Sequence, residues 1–138
     1  MSEDNKKPFR GWGILIAAIF IAGMVAVALL NLPKGIDMDL DKIGDGKPAL
    51  VFVYDANLSV SGMQTETINR IRSDFEQVHF LVADIGRPQA QAWLQLHQAR
   101  PAELFFIDAQ GTVRQRQHAP LTAEDLAAAI RTYLEAPQ

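Results

Sequence analysis

The sequence predicts an α/β domain, built on a mixed sheet flanked by helices and preceded by one N-terminal transmembrane helix. A long apolar run without charge occupies residues 11–32. Beyond it, four strand-like segments alternate with three amphipathic segments in the order β-α-β-α-β-β-α. Helices in the first crossovers imply parallel strand pairs, whereas the tight turn before the fourth strand implies an antiparallel pair, so the sheet is mixed.

Residues 11–33 are predicted to form a transmembrane helix. The uncharged run from Gly11 to Leu32 spans roughly 33 Å as a helix, which is enough to cross a hydrocarbon core of about 30 Å. A secretory signal peptide is the alternative, because basic residues precede the run and Ala26-Val27-Ala28 has the form of a cleavage site. The apolar run continues past that site, which favours an uncleaved anchor.

The distribution of basic residues predicts the orientation of the span. Residues 1–10 contain Lys6, Lys7 and Arg10, whereas only Lys34 and Lys42 follow the span closely. The positive-inside rule therefore makes residues 1–10 a cytoplasmic tail. In a bacterium, the protein would be a single-pass protein of the inner membrane with its C-terminal domain in the periplasm.

One face of the predicted span carries small residues. Ala18, Ala22 and Ala26 recur every four residues, and such stripes permit close packing against another membrane helix. Alanine is also common in spans that pack against nothing, so both interpretations remain open.

Residues 34–47 are predicted to be a linker or a short edge strand, because apolar residues alternate with aspartates there. Asp37, Asp39 and Asp41 match the first three ligand positions of a calcium-binding EF-hand loop. Lys42 occupies the position that requires glycine, so we predict no metal site.

Residues 48–138 are predicted to form the folded domain. Its strands are expected at Ala49–Tyr54, Val78–Asp84, Ala102–Asp108 and Thr112–His118. The first three are continuous apolar runs, as expected of strands that are covered on both faces. The fourth follows a glycine turn and alternates arginine with glutamine, which predicts one exposed face.

Three helices are predicted around these strands, at Ser61–Gln77, at Gln89–Gln98 and from Thr122 to the C-terminus. The first carries an apolar stripe that includes Ile68 and Ile71. Pro88 occupies a tolerated first-turn position of the second helix. Thr122 is followed three residues later by an acid, as in a capping box, so it should cap the last helix.

This element order, with Pro101 immediately before the third strand, resembles the thioredoxin-like superfamily over roughly residues 47–136. In that family the first core strand is similar to Leu50–Tyr54, and the loop after it carries Cys-x-x-Cys. A cis-proline later precedes a strand that enters a hairpin through a glycine turn, as the segment from Pro101 to Gly111 does here. The resemblance implies a thioredoxin-like domain with a cis peptide bond before Pro101.

The sequence lacks the chemistry of that family. Aligning Met63 with the methionine that often follows the motif places the two cysteine positions at Leu58 and Ser61, and the chain contains no cysteine. Phe52 occupies the position where redox-active members commonly carry a buried aspartate. A serine hydroxyl cannot undergo reversible sulfur exchange, so we predict a redox-inactive, membrane-anchored protein that is not an enzyme and has no cofactor.

Ser59 and Ser61 are weak candidates for a hydrolase nucleophile. A nucleophilic serine needs a base, usually a histidine oriented by a carboxylate. No spacing in the sequence brings His79, His97 or His118 to the serines. We therefore predict no catalytic residue and expect the hydroxyl of Ser59 or Ser61 to cap the following helix.

The loop of Leu58, Ser59, Val60 and Ser61 forms a candidate binding groove with Arg100 and Pro101. In redox-active relatives, the backbone beside the proline docks an extended peptide, and such docking requires no chemistry. The alternative is that Pro101 only shapes the fold.

These observations predict an interaction or assembly module for a membrane-associated or periplasmic protein complex. The formal net charge of −3 and the lack of a basic stripe after residue 34 argue against nucleic-acid binding. The alternative functions are a non-thiol enzyme or small-ligand-binding protein on the same scaffold, and a periplasmic holdase-like chaperone.

Overall fold

The computed structural model describes residues 10–30 and 35–137, which belong to two units, an N-terminal helix and a folded domain beginning at Gly35. Helix α1, Arg10–Leu30, contains the uncharged stretch Gly11–Leu30 with a mean hydropathy of 2.8. A helix of this length and composition is able to cross a membrane, and a signal sequence shares these properties. Lys6, Lys7, Lys34 and the expected end of the span at Pro33 lie outside the described residues.

The described part of the domain contains one four-stranded sheet and three α-helices. The strands are β1 at Ala49–Tyr54, β2 at His79–Asp84, β3 at Glu103–Ile107 and β4 at Val113–His118. The helices are α2 at Ser59–Ile71, α3 at Pro88–Leu96 and α4 at Ala123–Glu135. Short 3-10 helices occur at Leu40–Lys42 and Arg72–Asp74.

The sheet is mixed, as predicted, with the strand order β2-β1-β3-β4. Strand β1 runs parallel to β2, where Val51 faces Leu81, and antiparallel to β3, where Val51 faces Phe105. Strands β3 and β4 are antiparallel neighbours. The crossover through α2 joins the parallel pair, and a tight turn joins β3 to β4.

Two apolar layers cover the two faces of the sheet, because successive side chains of a strand point to opposite sides. Leu50 and Phe52 of β1 pack with α2 and α4, whereas Val51 and Val53 pack with α3. This alternation explains why β1 is an uninterrupted apolar run: both of its faces are buried.

The helix boundaries differ from the predictions at several ends. Helix α2 begins at Ser59 rather than Ser61, and its regular part ends at Ile71 rather than Gln77. Helix α3 ends at Leu96, since Gln98 adopts a positive φ of 47° that is incompatible with a continuing helix. The cap of α4 is as predicted, with the Thr122 hydroxyl accepting a hydrogen bond from the backbone of Asp125 at 3.1 Å.

Residues 35–47, which we call the strap, lie against the sheet. Ile36 is buried in the layer under α2 and α4, and Asp37 forms an isolated parallel bridge with Leu81 on the outer edge of β2. Farther along the strap, Asp45 pairs with the imidazole of His79 at 2.9 Å. The strap therefore pairs with β2 through a single backbone bridge.

The predicted cis peptide bond before Pro101 is wrong. In the described part of the chain, the cis peptide bond is Ala119–Pro120. Pro101 and Ala102 are instead the central residues of a turn, where the Glu103 nitrogen donates to the Arg100 carbonyl at 3.3 Å and Ala102 has a φ of 67°. A trans-proline followed by a positive φ is the pattern of a type II turn, which reverses the chain without a cis bond.

Candidate functional site

The two stretches of the predicted groove lie at the same end of the sheet. Leu58 and Ser61 follow the last residue of β1, and Arg100 precedes the first residue of the antiparallel β3. A hydrogen bond of 2.9 Å from the Ala102 nitrogen to the Val53 carbonyl joins the two chain segments. The sheet topology therefore brings the two stretches to one edge of the domain.

Leu58 and Ser61, at the two positions where the resemblance places cysteines, lie in different environments. Leu58 is the N-cap residue of α2 and its side chain is 39% exposed, whereas Ser61 is fully buried. The backbone nitrogen of Ser61 donates to the Leu58 carbonyl at 3.0 Å, which closes the first turn. The segment thus has one outward and one inward position, neither of which carries sulfur.

The prediction that a serine hydroxyl caps α2 is wrong. The N-cap is Leu58, which has no side-chain acceptor, and the Ser61 hydroxyl accepts a hydrogen bond from the Asp55 nitrogen at 3.0 Å. The helix begins earlier than predicted, so Ser61 is its third residue. From that position the hydroxyl reaches back to the preceding loop rather than to the free amides of the helix.

The loop before α2 is closed by its own hydrogen bonds. The Asp55 carboxylate accepts from the backbone and side-chain nitrogens of Asn57 at 2.9 and 3.1 Å. The Leu58 nitrogen donates to the Asp55 carbonyl at 3.1 Å. Ser59 is exposed and Val60 packs partly on the core, so the loop presents a preformed surface whose serine hydroxyl at 61 is inaccessible.

The backbone of Arg100 is occupied by an internal partner. Its nitrogen donates to the Glu103 carboxylate at 2.6 Å, and its carbonyl accepts from the Glu103 nitrogen. Glu103 also pairs with the Arg116 guanidinium at 2.8 Å. Burial opposes ionisation of Glu103, but the bonds from the Arg100 amide and from Arg116 outweigh it and lower its pKa. Strand-like docking of a peptide onto Arg100 would have to displace these bonds.

All three histidines lie on the face of the sheet that α3 covers. His79 alternates with Phe80 and therefore shares the side of Leu81, while His118 lies opposite Glu103. His97 follows α3, and its ring lies 4.5 Å from that of Trp93. Burial, together with Arg116, lowers the pKa of His97.

Ser61 lies on α2, which packs on the opposite face of the sheet. The sheet therefore separates this serine from each histidine. A serine–histidine pair of the hydrolase kind does not form, and the described residues contain no cluster of three or more His, Cys, Asp or Glu side chains arranged to hold a metal ion.

Gln64 is a buried polar residue that the sequence analysis missed. Its side-chain oxygen accepts from the Leu121 nitrogen at 2.6 Å, and its side-chain nitrogen donates to the Leu121 carbonyl at 3.3 Å. The amide thus pairs with the backbone as a neighbouring strand would, and it ties α2 to the segment before α4. Its position four residues before Ile68, inside the apolar stripe of α2, was the available signal.

The start of α2 exposes apolar surface beside the loop. Leu58 is 39% and Met63 60% exposed, and Gly62 adds no side chain between them. In the other unit, Ala18, Ala22 and Ala26 lie in α1 at a spacing that puts them on one face of the helix.

Comparison with known proteins identifies the fold. Neither a protein-family model nor a curated protein sequence matches the chain. Thioredoxin O2 from Arabidopsis thaliana is 11% identical, with a TM-score of 0.56 over 67% of this chain and 83% of that one. Thioredoxin-2, described as a component of malaria parasite protein secretion machinery, is 14% identical, with a TM-score of 0.53 over 62% and 82% of the two chains.

An uncharacterised thioredoxin-like protein from Clostridium perfringens is 9% identical, with a TM-score of 0.60 over 70% of this chain and 78% of its own. At these identities the similarity concerns the fold. The domain therefore has the thioredoxin-like fold that the sequence resemblance implied, and it lacks Cys-x-x-Cys because the chain has no cysteine.

Proposed function

We propose that the protein is a membrane-tethered, redox-inactive thioredoxin-like module that binds another protein in a membrane-associated complex. The main support for this proposal comes from the environments of Leu58 and Ser61. Where a thioredoxin would keep its reactive sulfurs, an apolar side chain faces outward and a hydroxyl is buried in a backbone hydrogen bond. The turn at the start of α2 is present, but its side chains contain no group for thiol–disulfide exchange.

The surrounding residues support binding without chemistry. Phe52, at the position of the family's buried aspartate, is fully buried in the apolar core, so it offers no group that relays a proton. In the loop from Asp55 to Leu58, the carboxylate and the carbonyl of Asp55 accept hydrogen bonds from Asn57 and Leu58. A surface that is already ordered loses little conformational entropy when a partner binds.

The proposed interface consists of Leu58 and Met63 at the start of α2. Two exposed apolar side chains beside a rigid loop suit the centre of a small protein interface, where apolar contact supplies the binding energy. Arg100 and Pro101, at the same end of the sheet, would contribute side chains rather than backbone pairing.

Helix α1 supplies the proposed tether. The uncharged stretch Gly11–Leu30 supports a membrane span, and the excess of basic residues before it supports a cytoplasmic N-terminus with the domain in the periplasm. The stripe of Ala18, Ala22 and Ala26 would let a second membrane helix approach closely.

Purification of the tagged full chain from bacterial membranes in a mild detergent tests the proposal. We expect a defined partner to co-purify, and we expect Leu58→Asp with Met63→Asp to reduce its recovery severalfold. Leu96→Asp is the matched control, since Leu96 is 77% exposed but lies on α3. Recovery of the chain only as an isolated monomer, or equal loss with the control, would contradict the proposal.

The alternative functions have less support. A non-thiol enzyme at this position would need a base near Ser59 or Ser61, and the three histidines lie across the sheet. A holdase would need a broad apolar surface. Within residues 35–137 the exposed large apolar residues are Leu58 and Met63 at the start of α2, Met38 in the strap and Leu96 at the end of α3.

A further inference from the structure

Strand β2 is an edge strand whose outer backbone groups are only partly paired. The nitrogens of His79 and Ile85 donate towards β1, to Pro48 at 2.8 Å and to Tyr54 at 3.0 Å. Because backbone groups alternate in direction along a strand, those of Phe80, Val82 and Asp84 point to the outer edge. Accordingly, the Val82 nitrogen donates to Asp37 of the strap at 2.8 Å.

The strap leaves this edge immediately afterwards. The Asp39 nitrogen, which would continue the ladder, donates to the Asp37 carboxylate at 2.9 Å. Within residues 35–137, the Val82 carbonyl and the Asp84 amide, which both point outward, form no hydrogen bond with another backbone group. These two groups form the open step of the edge, where one residue of an extended chain is able to pair with β2.

Two hollows flank the open step, and Met38, Val82 and Asp84 line both of them. A hollow of about 240 Å³ lies on the α2 side, beside Tyr54 and Thr65. A hollow of about 190 Å³ lies at the start of α3. Successive side chains of an added strand point to opposite faces, so two neighbouring side chains would enter the two hollows.

We propose that this edge binds an extended segment of a partner protein in which an apolar residue precedes a basic one. The apolar residue would donate its backbone N–H to the Val82 carbonyl and accept from the Asp84 amide, as in a parallel ladder. This site deepens the proposed interaction function and rests on it, since it assigns a second contact and the chemistry of the partner.

The charges around the two hollows decide where each side chain goes. Arg87 lines the hollow at α3 and disfavours a cation there, so that hollow takes the apolar side chain beside Ala90. Among residues 35–137, no cationic residue lines the hollow at Tyr54 and Thr65, and Asp84 supplies a carboxylate. One oxygen of that carboxylate accepts from the Gly86 amide at 2.8 Å, and the other forms an ion pair with Arg87 at 3.5 Å. Because the 3.5 Å contact is too long for a strong hydrogen bond, the carboxylate is able to pair with a second cation.

Met38 makes the site adaptable. Its side chain is 45% exposed and stands between the hollows, and a thioether chain is able to shift and pack against an incoming residue.

The test is NMR titration of the isotope-labelled full chain in detergent micelles with acetyl-Thr-Leu-Lys-Thr-amide. We expect perturbation of the Asp84 amide and the Met38 methyl at millimolar peptide. The same peptide with an N-methylated leucine lacks the donor to Val82 and should bind roughly fivefold more weakly. Replacing lysine by norleucine should weaken binding about twofold to fivefold.

Asp84→Asn is the matched variant, because it keeps the backbone amide and removes the charge. In this variant we expect the preference for lysine over norleucine to disappear while the effect of N-methylation persists. Absence of the Asp84 and Met38 perturbations, or equal binding of the N-methylated peptide, overturns the inference. Neither result depends on capture of a partner from cells. The titration therefore tests the β2 edge, whereas co-purification tests the proposed function.

Discussion

The hydroxyl oxygen of Ser61 lies 3.0 Å from the backbone nitrogen of Asp55 and accepts its hydrogen bond. This contact joins the start of α2 to the loop that precedes it, at the position that the sequence resemblance assigns to the second cysteine. The Ser61 side chain therefore has a structural role, and this role can be tested by substitution.

Replacing Ser61 by Ala should destabilise the domain by about 1–2 kcal/mol, because the partly buried Asp55 amide loses its acceptor. Ser59→Ala is the control; Ser59 is exposed, and the change should stay within about 0.5 kcal/mol. Chemical denaturation of the full chain in micelles, followed by Trp93 fluorescence with Trp12 replaced by Phe, measures both. Equal effects of the two changes would contradict the role of the hydroxyl.

Introducing two thiols by Leu58→Cys and Ser61→Cys should create an intramolecular disulfide under mild oxidation. The 3.0 Å bond from the Ser61 nitrogen to the Leu58 carbonyl closes a turn, and turns of this kind bring the two Cα atoms within about 7 Å, near the range of disulfides. Mass spectrometry after alkylation measures the bond.

In an insulin-reduction assay, the unmodified chain should show no turnover, because it has no sulfur nucleophile. The double variant should remain slow, since Phe52 and the occupied Arg100 backbone are unchanged. Robust turnover by the unmodified chain would refute redox inactivity.

Gln64→Met should destabilise the domain by about 2–3 kcal/mol despite its similar size. The substitution leaves the backbone groups of Leu121 without the amide that pairs with them at 2.6 and 3.3 Å. Gln95→Met is the control on an exposed position of α3. Denaturant midpoints of the two variants should differ clearly, and a stable Gln64→Met protein would show that water replaces the amide.

Asp108 should contribute to acid unfolding. The carboxylate is buried and caps the turn between β3 and β4; the Thr112 amide, followed by Arg114 and the Gln110 amide, holds its pKa below the ordinary value of 3.8 despite desolvation. A depressed folded pKa means that the stabilisation is present above 3.8 and is lost as pH falls through the folded value.

Unfolding measured from about pH 6 to about pH 2 should therefore show a shallower acid limb for Asp108→Asn than for the unmodified chain. Glu135→Gln, at an exposed position near the C-terminus, is the control and should leave the limb unchanged. An unaltered limb in Asp108→Asn would assign acid unfolding to other groups.

Leucine in place of Ala18, Ala22 and Ala26 should weaken recovery of a membrane partner, because the larger side chains separate packed helices. Ala17→Leu with Ala28→Leu introduces leucine at two positions away from that stripe and is the control. Quantitative co-purification in mild detergent compares them. If both variants retain the partner equally, the stripe faces lipid.

The strands were predicted more closely than the helix ends. Each strand is a compact apolar or alternating run, and the observed β1 has the predicted bounds because burial on both faces demands an unbroken apolar sequence. The start of α2 was misplaced by two residues, since a leucine at the N-cap gives no sequence signal. The cis bond expected at Pro101 failed because Ala102 closes a turn with a positive φ instead.

The long apolar helix, the order of elements, the mixed sheet and the lack of cysteine could all be read from the sequence. These follow from periodicity and composition, which are local properties of the chain. The hydrogen bonds of Ser61 to Asp55, of Arg100 to Glu103 and of Gln64 to Leu121 became visible in the folded domain. Each polar group bonds to the partner that folding brings within reach, and for Gln64 that partner lies 57 residues away along the chain.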